Sequence, residues 1–147
     1  MAEIWDIARY VESNPDDHEQ RWRLAKKLYT AWEYRLALEH LQILKNEGQE
    51  RINILRYLGA TYYRLGRYEE ATKELQNAIA IWPDEVGLYE QLARVLEIAS
   101  DAAGAAEMWE KTLALDPHHP MAAHAAARLR SSMSDTEKKK AFSRGPT

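Results

Sequence analysis

A repeat period of 34 residues is the feature that most constrains the fold of this chain. Pro83 and Pro117 lie 34 residues apart, and Pro15 precedes Pro83 by twice that distance. Four more columns keep the same spacing without a gap: Leu24, Leu58 and Leu92; Ala25, Gly59 and Ala93; Leu28, Tyr62 and Leu96; Ala37, Ala71 and Ala105. A period of this length indicates an array of stacked supersecondary units.

Each period contains two amphipathic helices by its apolar spacing. In the middle period the first stripe is Leu55, Leu58, Tyr62 and Leu65, and the second is Ala71, Leu75, Ala78 and Ile79. We expect Gly59 to allow close helix contact and Gly66 to occupy the corner between the helices, where a left-handed residue costs least. These assignments leave no glycine-rich phosphate loop. Tyr62 is predicted to be buried and Tyr63 to face a binding surface.

The segment LRYLGATYY...YEEATKELQNAIAIWP resembles a tetratricopeptide repeat. Leu58, Gly59, Tyr62, Gly66, Tyr68, Ala71, Ala78 and Pro83 match the family pattern in register. The resemblance implies an all-α, right-handed superhelical α-solenoid with repeats at 18–51, 52–85 and 86–119. The first repeat departs from the pattern, since Arg21 stands at the tryptophan position and Trp32 at the turn glycine.

The segments outside the repeats are expected to end the array. Residues 1–17 are predicted to form a half-repeat-like helix with Ile4, Ile7 and Val11 on one face. Pro120 opens a predicted capping helix over residues 120–131. We expect residues 132–147 to form a flexible tail, because their apolar content is too small to offset the entropy of ordering.

The resemblance places the first helix of each repeat on a concave wall that binds extended peptides. The candidate groove residues are Trp22, Arg23, Lys26, Tyr29, Asn53, Arg56, Tyr57, Tyr63, Arg64, Gln91, Arg94, His124 and Arg128. Acidic wall residues are Glu19, Glu90 and Glu97, so cations outnumber carboxylates on a chain with a net charge of -3. Aromatic and arginine side chains favour binding hot spots, which predicts an acidic or amphipathic peptide as partner. A wall that is merely solvated is the competing interpretation.

Several chemical functions find no support in the sequence. The chain has no cysteine, and no serine, histidine and acid form a recognisable catalytic arrangement. His118, His119 and His124 lack the spacing of two ligands on one helical face, so we interpret them as surface histidines. We therefore expect no enzyme activity, no cofactor and no metal. The N-terminus lacks the pattern of a secretory signal, and no stretch is apolar enough for a membrane span, which predicts a cytoplasmic protein.

More specific roles remain open. The two-carboxylate clamp of tetratricopeptide cochaperones is not matched, whereas small type III secretion chaperones are similar in architecture. The first alternative is a self-assembling scaffold or homodimer that pairs through Ile4, Trp5, Tyr10 and Trp32. The second is single-stranded RNA stacking on the basic aromatic wall, against which the acidic wall residues count.

Overall fold

The computed structural model describes residues 2–49, 51–133, 139 and 142–143, and its secondary structure in these ranges is helical without a strand. The elements that carry the fold are α1 Ala2–Ser13, α2 His18–Thr30, α3 Tyr34–Asn46, α4 Ile52–Arg64, α5 Tyr68–Ile81, α6 Val86–Ile98, α7 Ala102–Leu115 and α8 Ala122–Ser132. Each predicted repeat thus contains two helices. Most of the predicted tail, including 134–138 and 144–147, lies outside the described residues.

The chain divides into two compact units, and the division falls within α5 between Glu74 and Leu75. In the N-terminal unit, Ile7 and Val11 of α1 pack with Leu24 and Leu28 of α2 and with Ala37 of α3. Ile7 and Val11 belong to the apolar stripe predicted for residues 1–17. Leu24, Leu28 and Ala37 belong to the repeated columns of the first repeat. Because α1 has a buried face of its own, it is anchored as part of the unit.

One buried cluster of the C-terminal unit is built largely from alanine. Ala93 of α6 packs with Ala105, Ala106 and Trp109 of α7. The predicted capping helix is α8, which adds Ala122, Ala125, Ala126 and Leu129 to this cluster. Small side chains let helices approach closely, while Trp109 supplies most of the aromatic volume.

The corners between paired helices share one backbone conformation. Trp32, Gly66 and Ser100 have positive φ angles of 64°, 75° and 64° and lie one repeat apart. At the middle corner the Gly66 amide donates to the Tyr63 carbonyl, and the Arg67 amide donates to the Tyr62 carbonyl. These two bonds are the Schellman motif that closes a helix C-terminus. The predicted corner role of Gly66 is confirmed, and the corner at Trp32 has the same backbone conformation without glycine.

Candidate functional site

Four aromatic side chains of the N-terminal unit form one connected cluster, which we call the aromatic surface: Trp22, Tyr29, Tyr34 and Tyr57. The Trp22 and Tyr57 ring centroids are 5.0 Å apart, and Tyr29 lies 5.3 Å from both Tyr57 and Tyr34. All three pairs meet edge to face, an arrangement that contributes beyond simple area burial. The four rings are half-buried, so a rigid apolar face remains accessible.

Cations border the aromatic surface on α2 and α4. The Lys26 ammonium lies 4.9 Å from the centre of the Trp22 ring, within cation–π range. The Arg64 Nε donates to the Tyr29 hydroxyl at 3.5 Å, and this hydrogen bond raises the pKa of Arg64 above its ordinary value. Asn53 is exposed and Arg56 half-buried on the same helix. This part of the unit can therefore offer aromatic area and positive charge together.

The adjacent tyrosines of α4 have different environments. Tyr62 is 6% exposed, as predicted, and its hydroxyl accepts a hydrogen bond of 2.8 Å from Gln42 Nε2. Tyr63 is half-buried, with its ring centroid 5.9 Å from that of Tyr68. Gly59 is buried in the same helix, at the position where we expected a small residue.

In the C-terminal unit, two candidate cations are paired with carboxylates on or beside the predicted wall. Arg94 donates to Glu90 at 2.7 Å along α6, and Arg128 of α8 pairs with Glu97. Glu97 also accepts from the indole nitrogen of Trp109 at 3.2 Å. Gln91 is half-buried and His124 exposed. The paired arginines therefore have less positive charge to offer than the count along the sequence suggested.

The side chains predicted for self-association differ in their exposure to solvent. Ile4 is half-buried and packs against the core of the N-terminal unit. Trp5 and Tyr10 are 50% and 46% exposed, and Trp32 is 80% exposed at its corner. Tyr10 donates to Asp17 at 2.9 Å, which raises the pKa of Tyr10. Three exposed aromatic side chains remain.

The interpretation of all three histidines as surface residues is wrong for His119. Its side chain is 10% exposed. Its Nδ1 accepts from the amides of Met121 and Ala122 at 3.2 Å, and its Nε2 lies 3.2 Å from Glu90. His119 thus caps the start of α8, whereas His118 and His124 are exposed. Within the described ranges, no three acidic or histidine side chains are grouped as metal ligands would be.

Residues that the sequence did not single out also contribute. Tyr34 extends the aromatic surface from α3, and its helical spacing gave no sign of this contact because the partner lies on another helix. Glu3 of α1 accepts from Arg23 at 2.7 Å and lies 3.4 Å from the Lys27 ammonium.

None of the helices in the described part of the chain has the length and apolar character needed to cross a bilayer.

Comparisons with known proteins identify a repeat in the middle of the chain. Residues 52–95 match the family model described as tetratricopeptide repeat. A relative in Arabidopsis thaliana, the probable UDP-N-acetylglucosamine–peptide N-acetylglucosaminyltransferase SEC, is 25% identical over 95 residues, or 65% of this chain. The matched region covers only 10% of that protein.

Solved structures show the same fold across nearly the whole chain. The crystal structure of MamA has a TM-score of 0.82 at 19% identity, covering 95% of this chain and 81% of MamA. PcrH in complex with the chaperone binding region of PopD has a TM-score of 0.65 at 22% identity, covering 90% and 96%. The Arabidopsis OM64 TPR domain has a TM-score of 0.71 at 18% identity, covering 79% and 96%. The expected all-α solenoid class is confirmed.

Proposed function

We propose that this chain, in which residues 52–95 match the tetratricopeptide repeat model, is a non-enzymatic adaptor or chaperone that binds an extended acidic or amphipathic segment of a protein partner. The observation that carries the proposal is the aromatic surface of the N-terminal unit with Lys26 and Arg64 at its border. Rigid aromatic rings give contact area at a small entropic cost, and the cations favour an acidic ligand.

The acidic contacts are assigned to the N-terminal unit. Arg94 and Arg128 of the C-terminal unit are each paired with a glutamate that has a second contact, Glu90 with His119 and Glu97 with Trp109. These two carboxylates are therefore held in place more firmly than a glutamate with no contact besides its ion pair. We propose that Gln91 and His124, together with the polar atoms of these ion pairs, contribute hydrogen bonds to the ligand in place of charge.

Two solved complexes of one structural relative, PcrH, support a peptide ligand. PcrH has been solved with the chaperone binding region of PopD and with that of PopB. Those partners belong to PcrH, and at these identities only the fold carries over. The plant relative is a probable transferase, but the match covers a tenth of it, so we assign no catalysis to this chain.

Partner capture from a native lysate tests the proposal with a matched pair of variants. Trp22→Ala removes one ring of the aromatic surface, and Trp5→Ala removes a tryptophan that is 50% exposed on α1. We expect Trp22→Ala to lose partners that Trp5→Ala retains, while thermal melts show both variants folded. Retention of every partner by a folded Trp22→Ala protein would contradict the proposal.

Self-assembly is the second candidate, and the exposed side chains of Trp5, Tyr10 and Trp32 favour it. Exposed aromatic groups on a folded surface gain free energy when a second copy covers them. Light scattering across a concentration series measures this directly. A mass that rises with concentration and falls back in Trp5→Ala supports a dimer, and a constant monomer mass excludes one.

A further inference from the structure

An open hollow of about 650 Å³ lies beside α1 and α2 in the N-terminal unit. Its lining includes Glu3 and Ile4 of α1 and Arg23, Lys26, Lys27 and Thr30 of α2. A hollow of this size can hold several side chains of a ligand. We call it the Glu3 pocket.

Three cations and one carboxylate line the Glu3 pocket. The same Glu3 oxygen lies 2.7 Å from Arg23 Nη2 and 3.4 Å from Lys27 Nζ. Lys26, the third cation, is turned to the Trp22 ring at 4.9 Å. The side chains of Glu3 and Arg23 are 58% and 49% exposed, so the ion pair forms at the mouth of the hollow in contact with solvent. The lining therefore keeps an excess of positive charge even with Glu3 in place.

Lys26 links the Glu3 pocket to the aromatic surface, because it lines the pocket and its ammonium also lies 4.9 Å from the centre of the Trp22 ring. A ligand seated on Trp22 would bring its next side chains to the pocket. We propose that the Glu3 pocket is a carboxylate-binding subsite in which Glu3 stands in for an acidic side chain of the partner and is displaced by it. This inference rests on the proposed function. It assigns carboxylate binding to one subsite and identifies Glu3 as the carboxylate that competes with the ligand there.

Two properties make Glu3 a replaceable occupant. Solvent-exposed ion pairs contribute little to stability, so exchange of one carboxylate for another costs little. In addition, α1 is anchored by Ile7 and Val11, which are 7% and 1% exposed. Release of Glu3 therefore leaves the helix in place.

Fluorescence anisotropy with two dye-labelled peptides tests the subsite. The first peptide has three Glu-Leu-Gly-Glu repeats, and the second carries glutamine in place of each glutamate. Glu3→Gln should bind the glutamate peptide about threefold more tightly than the unmodified chain, since it loses a competing carboxylate from a weak surface pair. The glutamine peptide should not discriminate between the two proteins.

The matched control is Glu110→Gln. Glu110 is also an exposed glutamate that accepts from an arginine, Arg130, at 2.7 Å, but it belongs neither to the predicted wall nor to the pocket lining. The same change of charge there should leave the affinity for the glutamate peptide unchanged. Arg23→Gln combined with Lys27→Gln should weaken binding of the glutamate peptide several-fold and leave that of the glutamine peptide unchanged.

The outcomes separate this inference from the proposed function. If both peptides bind equally and Glu3→Gln has no effect, the subsite is wrong while the aromatic surface stands. Equal gains in Glu3→Gln and Glu110→Gln would show a general charge effect and also overturn the subsite. If neither peptide binds, the inference fails, and lysate capture with Trp22→Ala then decides the proposed function independently.

Discussion

Trp32 has a strained backbone conformation. It has a φ of 64° and a side chain that is 80% exposed, so little packing offsets the left-handed conformation. The equivalent Gly66 adopts a φ of 75° with open space where a Cβ would stand. The difference between the two corners is thus a difference of conformational strain, since glycine alone adopts this region freely.

We predict that Trp32→Gly stabilises the fold by up to about 1 kcal/mol, because relief of left-handed strain exceeds the added entropy of the unfolded chain. Gly66→Ala should destabilise by about 1 kcal/mol for the opposite reason. Chemical denaturation measures both changes. Trp32→Ala is the control, since it removes the ring but keeps the strain. If Trp32→Ala and Trp32→Gly gained equally, strain would not be the cause.

His40 gives the N-terminal unit a dependence on pH. Its Nδ1 lies 3.0 Å from Nη1 of Arg21, a residue that is 6% exposed and also donates to the Pro15 carbonyl at 3.3 Å. Burial first, and the Arg21 charge second, lower the pKa of His40 below its ordinary value of 6.5, while Glu39 acts in the opposite direction. A neutral His40 ring can accept the Arg21 hydrogen bond, and a protonated ring cannot.

The lowered pKa means that the unfolded chain binds this proton more readily than the folded chain does. The free energy of unfolding should therefore fall as pH drops below about 6.5 and level off once the folded state is also protonated. His40→Gln keeps an acceptor for Arg21 and should lose this component. Urea denaturation of both proteins at several pH values isolates it, because every other histidine is common to both. Parallel profiles would rule out the assignment.

At the scale of helices, α8 depends on a cap from the loop before it. His119 accepts from two amides at the start of α8, and its ring centroid lies 6.0 Å from that of Trp109. His119→Phe keeps a ring against Trp109 but has no acceptor, so it should cost about 1 kcal/mol, the usual value of a lost cap. His119→Asn restores an acceptor at the expense of the ring contact.

Amide hydrogen exchange distinguishes these two contributions. In His119→Phe the protection of the first amides of α8 should fall, while in His119→Asn it should persist even if total stability decreases. Faster exchange in His119→Asn but not in His119→Phe would assign the role of His119 to packing against Trp109 and not to capping.

The helices were predictable from the sequence because their causes are local and repeated. Gly66 could be placed at its corner from its position between two apolar stripes, whereas the corners at Trp32 and Ser100 have no glycine to mark them. The contacts at the candidate site could not be read in this way. Glu3 and Arg23 are 20 residues apart on different helices, and no periodicity encodes which charged side chains of neighbouring helices meet.

His119 illustrates the same limit from the opposite direction. As a residue type beside a proline and another histidine it resembled a surface group, and its cap was hidden because histidine is uncommon in that role. Likewise, a count of wall charges treated Arg94 and Arg128 as available, although each meets a glutamate in the folded unit. Charge at a binding surface depends on pairing, which is a property of the tertiary structure.

For the molecule as a whole, the net charge and the charge at the proposed site have opposite signs. The chain carries -3, whereas Lys26 and Arg64 border the aromatic surface. An acidic ligand is thus repelled weakly at long range and attracted at contact. Salt screens the distant charges most, with a Debye length of about 10 Å at 0.1 M.

We therefore predict a shallow salt dependence, in which affinity for the glutamate peptide falls only a few-fold between about 50 and 500 mM NaCl, because loss of long-range repulsion offsets part of the screened attraction. Anisotropy titrations at several salt concentrations measure the slope. A single-stranded RNA ligand would lose affinity steeply, since neutralised phosphates release counterions. A mixed RNA oligonucleotide measured in parallel provides that comparison. If the RNA bound tightly with a steep salt dependence and the peptide did not bind, the ligand would be RNA and not a peptide. If affinity for the glutamate peptide rose with salt, cations would not govern its recognition.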